Sequence, residues 1–118
     1  MSLQGVLLVG LGGALGAASR YGVARGLAEA RPAAPTLLVN VLGSFLFGLL
    51  VFGGVESPAL LVLGVGYCGA LTTFASFSVD VVRLGEDSWQ VAAGYAGGTL
   101  LACLAAVGLA WLAVLPFG

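Results

Sequence analysis

Residues 66 to 78 read GYCGALTTFASFS and lie near the middle of an apolar run from Pro58 to Val82 whose one charge is Asp80. A run of that length and polarity is expected to cross a membrane, because a hydrocarbon core of roughly 30 Å needs about 20 apolar residues of helix. Its centre is nevertheless built from glycine, threonine and serine, which hold a helix poorly. The pattern predicts a third span that breaks near its midpoint, between Gly69 and Phe77. Unwound backbone at membrane depth is tolerated only inside protein or along a wet cavity, and its freed carbonyls can coordinate a cation. Phe74 and Phe77, three apart, would project from one side once the helix resumes. Taken singly, each phenylalanine also fits ordinary lipid-facing or core packing.

Three further spans surround this one. Of 118 residues, 60% are hydrophobic and 8% charged, against about 25% charged in a soluble domain. That composition implies an integral, multi-pass membrane protein in contact with lipid, with a single four-helix domain over residues 1–118; a cell (inner) membrane location is expected. The runs extend from about Leu3 to Ala24, Thr36 to Val55, Pro58 to Val82 and Trp89 to Leu115. Pro35 and Pro58 stand where a first helical turn tolerates them, Ser57 is placed to cap the third helix, and Pro116 closes the fourth. Trp89 and Trp111 are about 33 Å apart along a helix rising roughly 1.5 Å per residue, the separation of two interfacial aromatic belts. A signal-peptide reading of the first run is disfavoured, since MSLQG has no basic n-region and Arg20 follows its small residues at once.

Several function classes drop out. The net charge is −1 and lysine is absent, so no basic patch exists to bind nucleic acid. Cys68 and Cys103 fall in apolar runs with no histidine and no C-x-x-C spacing, so neither zinc nor a disulfide framework is supported; both read as small buried residues. An enzyme is not expected, for want of a nucleophile with a base or of paired carboxylates. VLLVGLGGALGA, from Val6, suggests a dinucleotide loop, but counting from Gly10 and Gly12 puts Leu15 where the third glycine of G-x-G-x-x-G belongs. Most of the twenty glycines read instead as packing residues, with Gly12 and Gly16, Gly22 and Gly26, and Gly94 and Gly98 spaced for close helix contact.

Polar residues within the spans fall into two stripes. Thr36, Asn40 and Ser44 share one face of the second helix, and Tyr95, Thr99 and Cys103 repeat that spacing on the fourth. Hydroxyls that bond back to their own helix and an asparagine that joins two helices would account for them singly. Two matched stripes beside a broken helix favour a polar track, because polar groups in lipid must find partners.

Three motifs in order resemble the small bacterial fluoride channels known as Fluc or CrcB. GGALGAASRY (Gly12 to Tyr21) is similar to the first-helix motif and TLLVNVLGSFLFG (Thr36 to Gly48) to the second. GYCGALTTFASFSVD (Gly66 to Asp80) is similar to the third, where the family has G-x-x-T-T-F-S-T-F-S-x-E. This sequence departs from it with Asp80 for Glu and Ala75-Ser76 for Ser-Thr, and Cys103 falls where Ser or Thr is common. The resemblance covers nearly the whole chain. It implies a passive, fluoride-selective channel built as an antiparallel dimer with two pores and a sodium ion at the centre of the interface. On that resemblance Phe74 and Phe77 form the aromatic pair of each pore, Asn40 is the amide beside them, and the carbonyls of Gly69 and Thr72 hold the sodium.

Chemistry supports the assignment. Fluoride holds its water tightly, so a selective pore must replace that water with donors at close range. The amide of Asn40 and the hydroxyls of Ser44, Ser76 and Thr99 supply donors, with Cys103 continuing the track. A phenylalanine ring has a positive edge, so Phe74 and Phe77 can meet an anion edge-on. Arg20 is a candidate for an anion-attracting vestibule, although snorkelling to the head groups explains it equally. Small multidrug exporters share this size and helix count, but they need a titratable carboxylate within the membrane, and Asp80 lies near the end of its span beside Arg83. A non-conducting helper subunit is the other alternative.

The arginines Arg20, Arg25, Arg31 and Arg83 all lie on or toward one side of the four-span arrangement. Lys and Arg near short loops set orientation, so the chain should insert mostly one way, with both termini outside. An antiparallel dimer from such a chain needs a partner of opposite bias, which favours a heterodimer with a similar chain over a homodimer.

Overall fold

The computed structural model describes residues 2–27, 33–56 and 58–117. The chain forms α1 (Leu3–Leu27), α2 (Ala34–Phe52), a wide-wound helical segment (Leu60–Cys68), α3 (Gly69–Leu71), α4 (Phe74–Asp87), α5 (Trp89–Val114) and a closing 3-10 turn (Leu115–Phe117). Four helical stretches, Leu3–Leu27, Ala34–Phe52, Leu60–Asp87 and Trp89–Phe117, are long and apolar enough to cross a membrane. The long axis measures 46 Å, close to the roughly 40–45 Å of a bilayer with its interfacial layers. This is an all-α, multi-pass membrane protein.

The helix ends follow local chemistry. α2 stops at Phe52 rather than Val55, because the Gly53-Gly54 pair closes it. Gly54 takes φ +73°, the Val55 N–H donates to the Leu50 carbonyl at 3.0 Å and the Gly54 N–H to the Val51 carbonyl at 3.2 Å. This is the double C-terminal bond that a left-handed glycine permits. The third span runs on past Val82 to Asp87, where Ser88 ends it in an extended conformation. The Ser88 hydroxyl then accepts from the Val91 N–H at 3.3 Å and caps α5, so one residue joins two helices. Ser57, expected as a cap, and Arg31 lie outside the described residues.

The break is present, and it is narrower than the stretch the sequence marks. Thr72 (φ −80°, ψ 156°) and Thr73 (φ −151°, ψ 118°) are extended, and helix resumes at Phe74. Ahead of it, Leu60–Cys68 is wound more widely than an α-helix and passes to α3 with the Gly69 N–H on the Gly64 carbonyl, an i→i−5 bond. The two halves of the span have different neighbours. Leu60–Leu71 packs on α1, whereas α4 packs on α5, and α2 touches both halves.

Glycine sets the closest approaches. A Cβ on Gly12 or Gly16 would collide with the backbone carbonyls of Val62 or Tyr67, and one on Gly66 would stand 2.7 Å from the Val9 carbonyl. α1 and the wide-wound segment therefore meet backbone to backbone. Gly48 does the same for α2 against Ala110 of α5, 2.8 Å from a would-be Cβ. The other two glycine pairs behave differently from what their spacing suggests. Among the described residues nothing lies within 4 Å of a Cβ built on Gly22, Gly26, Gly94 or Gly98, because the spacing fixes a common face without supplying a neighbour for it.

Candidate functional site

The break is held from α2. Asn40 Oδ1 accepts from the Thr73 N–H at 2.8 Å, and Asn40 Nδ2 donates to the Thr73 carbonyl at 3.1 Å. The amide thus does for Thr73 what a neighbouring strand would do in a sheet, satisfying both backbone groups of an unwound residue. Thr73 also begins the next helix, its hydroxyl accepting from the Ser76 N–H at 3.1 Å. On the other side of the break, the Thr72 N–H and hydroxyl both donate to the Cys68 carbonyl, at 3.1 and 3.0 Å. The Thr72 methyl fills the space where Gly43 has no side chain.

A groove of about 680 Å³ opens beside this break. Its wall combines Asn40 and Ser44 of α2, Thr72 and Thr73, Phe74 and Phe77 of α4, and Thr99 and Cys103 of α5. Two members of each stripe read from the sequence converge here, and among the described residues no Asp, Glu, Lys or Arg lines the groove. The Phe74 and Phe77 ring centroids are 5.8 Å apart and tilted by 40°, within the range of attractive aromatic pairs. Phe74 is 79% exposed, so its ring forms an unroofed edge of the groove. Thr99 is 5% exposed, and its Oγ1 is buried without a hydrogen-bond partner. An orphaned hydroxyl of this kind costs about 1–3 kcal/mol; the oxygen is closed off from the groove that Thr99 helps to line.

A second cavity of about 340 Å³ follows, lined by Ala33, Ala34, Leu37, Asp80, Arg83, Leu84 and Tyr95. Phe77 joins the two, because it lines the groove while its ring stacks on Tyr95 at 5.7 Å and 27°. The Tyr95 hydroxyl lies 3.4 Å from both Asp80 Oδ2 and the Ala33 carbonyl, one proton between two acceptors. The α5 stripe thus runs from Tyr95 in this cavity to Thr99 and Cys103 in the groove.

The remaining candidates are placed elsewhere. Ser76 is half-buried and joins the groove only through its N–H on Thr73; Arg20 is half-buried on α1 and lines neither cavity. The arginine beside the track is Arg83. Thr36 is buried above Asn40 without reaching the groove. Gly69 and Thr72 share a third cavity of about 380 Å³ on the far side of the break. Sequence reading missed Thr73, although a threonine directly before a resuming helix is a recognisable cap. It also left Asp80 and Tyr95 without roles, since only the fold brings them together.

The sequence pattern of the family described as CrcB-like protein, Camphor Resistance (CrcB), matches residues 7–111. The chain belongs to the CrcB family. It is 54% identical over 111 residues to a protein named fluoride-specific ion channel FluC 2 from Natronomonas pharaonis, covering 91% of each chain. It is 47% identical over 112 residues to another so named from Haloarcula marismortui, covering 94% of each. A protein named fluoride-specific ion channel FluC from Gloeobacter violaceus is 43% identical over 116 residues, covering 91% of this chain and 93% of that one. The CrcB match spans all four helices and includes every residue of the groove.

Proposed function

We propose that this CrcB chain is a subunit of a fluoride-selective channel that lets fluoride leave the cell passively. The observation that carries the reading is the groove itself. It brings the Asn40 amide and Ser44 together with the Phe74–Phe77 pair, with no charged side chain among them. A dehydrated fluoride needs close donors, and the wall offers hydroxyls, one unused Asn40 N–H and positive ring edges. Neutral donors stabilise the ion without trapping it, as conduction requires. Proton-coupled export has no carboxylate in the groove to carry the proton.

The groove lacks a roof in the single chain, and an ion cannot cross a bilayer along a lipid-facing surface. An antiparallel dimer with two such grooves supplies the missing wall. The carbonyls of Gly69 and Thr72 suit a sodium ion at its centre, because the N–H groups that would serve them in a continuous helix are bonded elsewhere. When bound, the ion supplies positive charge beside two uncharged anion paths. Arg20, Arg25 and Arg83 cluster toward the end where α1 finishes and α4 meets α5, which supports one insertion orientation and so a heterodimer with a similar chain of opposite bias.

The test is a fluoride-electrode efflux assay on liposomes holding the purified chain, alone and with a similar partner chain. Fluoride efflux well above chloride efflux is expected. Folded protein that gives no fluoride flux above empty liposomes in either form would sink the proposal. A tag found in comparable amounts on both membrane faces, together with flux from the lone chain, would favour the homodimer.

A further inference from the structure

We infer that Asn40 and Thr73, in the wall of the groove, create the carbonyl site on the far side of the break, so that the anion path and the cation site form one coupled unit. The inference rests on reading the Gly69 and Thr72 carbonyls as cation ligands. In an uninterrupted α-helix the Gly69 carbonyl accepts from the Thr73 N–H, and the Thr72 carbonyl from the Ser76 N–H. Both donors are diverted here. The Thr73 N–H goes to Asn40 Oδ1 at 2.8 Å, and the Ser76 N–H goes to Thr73 Oγ1 at 3.1 Å. Two groove side chains thereby take the partners of two carbonyls, both belonging to residues that line the 380 Å³ cavity, which adjoins the groove at Ser44 and Thr72.

The arrangement is fixed rather than incidental. Asn40 Nδ2 returns to the Thr73 carbonyl at 3.1 Å, closing a two-bond ring that admits one orientation of the amide, since the flipped amide would set its NH₂ against the Thr73 N–H. Thr72 is held by two bonds to the Cys68 carbonyl and by the contact of its methyl over Gly43. Carbonyls without donors are costly at membrane depth, and a cation offsets that cost. Releasing the Thr73 N–H from Asn40 returns it to Gly69 and weakens the cation site. By reciprocity, a bound cation steadies the ring and with it the second Asn40 N–H, which the ring leaves free for the groove.

Thermal unfolding of the purified chain, with choline chloride exchanged stepwise for sodium chloride, tests this without relying on flux. Sodium should raise the melting temperature of the wild-type chain saturably. Asn40→Ala should need at least roughly tenfold more sodium for half the effect, within the usual range of site-to-site coupling. Thr73→Val keeps the side-chain shape, removes only Oγ1, and should shift the response in the same direction by a smaller factor; if Asn40→Ala does not fold, this variant decides the matter. Asn40→Asp keeps an acceptor for the Thr73 N–H and should retain the sodium response while fluoride flux is lost. Alanine and valine variants that respond like wild type, or a folded aspartate variant that loses the response, overturn the coupling and leave the carbonyl site standing. A wild-type chain indifferent to sodium overturns the carbonyl site and the coupling with it.

Discussion

The contact between α1 and Leu60–Leu71 and the groove at the break are built on opposite principles within one small bundle. The first is made by leaving side chains out. Gly12, Gly16 and Gly66 bring backbones together, and the contact gains dispersion energy where lipid provides no hydrophobic drive. The groove is made by placing polar side chains where packing is incomplete. Asn40 and Thr73 bond to each other, Thr99 Oγ1 has no hydrogen-bond partner among the described residues, and Phe74 stands largely uncovered. The dry contact should thus govern whether the protein exists and the groove what it conducts.

The largest effect should come from filling the dry contact. In Gly12→Leu the new side chain meets the Val62 carbonyl, and neither backbone can yield without separating α1 from the third span. Overpacking of this kind costs about 3 kcal/mol or more. Size-exclusion chromatography and thermal unfolding should show loss of monodisperse protein. A normally folded Gly12→Leu chain would break the comparison at its first term.

Next come Phe74→Ile and Phe77→Ile. Isoleucine fills much of the ring volume but has no positive edge. Each change should lower fluoride flux at least roughly tenfold, which is about 1.4 kcal/mol on the barrier, while chromatography and melting stay near wild type. Unchanged flux in either folded variant removes that ring from the path.

Thr99→Val sharpens the contrast by separating stability from flux. Valine keeps the shape and removes a buried hydroxyl that has no partner, so stability should rise by about 1 kcal/mol. Flux should stay near wild type, because the hydroxyl is closed off from the groove. If both stability and flux fall, the hydroxyl has a partner within the assembly and serves the fold.

How far the sequence could be read follows the same division. The four spans were legible because apolar length alone defines them, and the break because threonines and glycines interrupt a run that needs helix formers. The stripe of Asn40 and Ser44 and that of Thr99 and Cys103 were legible as faces, since helical spacing sets them. What spacing cannot supply is the neighbour. Gly12 and Gly16 look the same in sequence as Gly22 and Gly26, yet among the described residues only the first pair meets another backbone. The wide winding of Leu60–Cys68 has no compositional sign. The ring between Asn40 and Thr73 and the stack of Phe77 on Tyr95 join residues brought together only by the fold.

The smallest effect is expected at Gly22, whose face is open among the described residues. Alanine is the better helix former by about 0.8–1.0 kcal/mol, and a Cβ here meets nothing that would cancel the gain. Gly22→Ala should therefore leave the melting temperature unchanged or slightly raised, with fluoride flux at the wild-type level. The change is the same in kind as at Gly12, one glycine of a spaced pair on the same helix, so the two substitutions isolate the effect of a neighbouring backbone from that of the residue type. A clear loss of stability in Gly22→Ala would mean that this face is covered by something outside the chain. Repeating the melt at several protein concentrations then tells a partner subunit from lipid, because only a cost borne at a subunit interface makes the melting temperature more dependent on concentration.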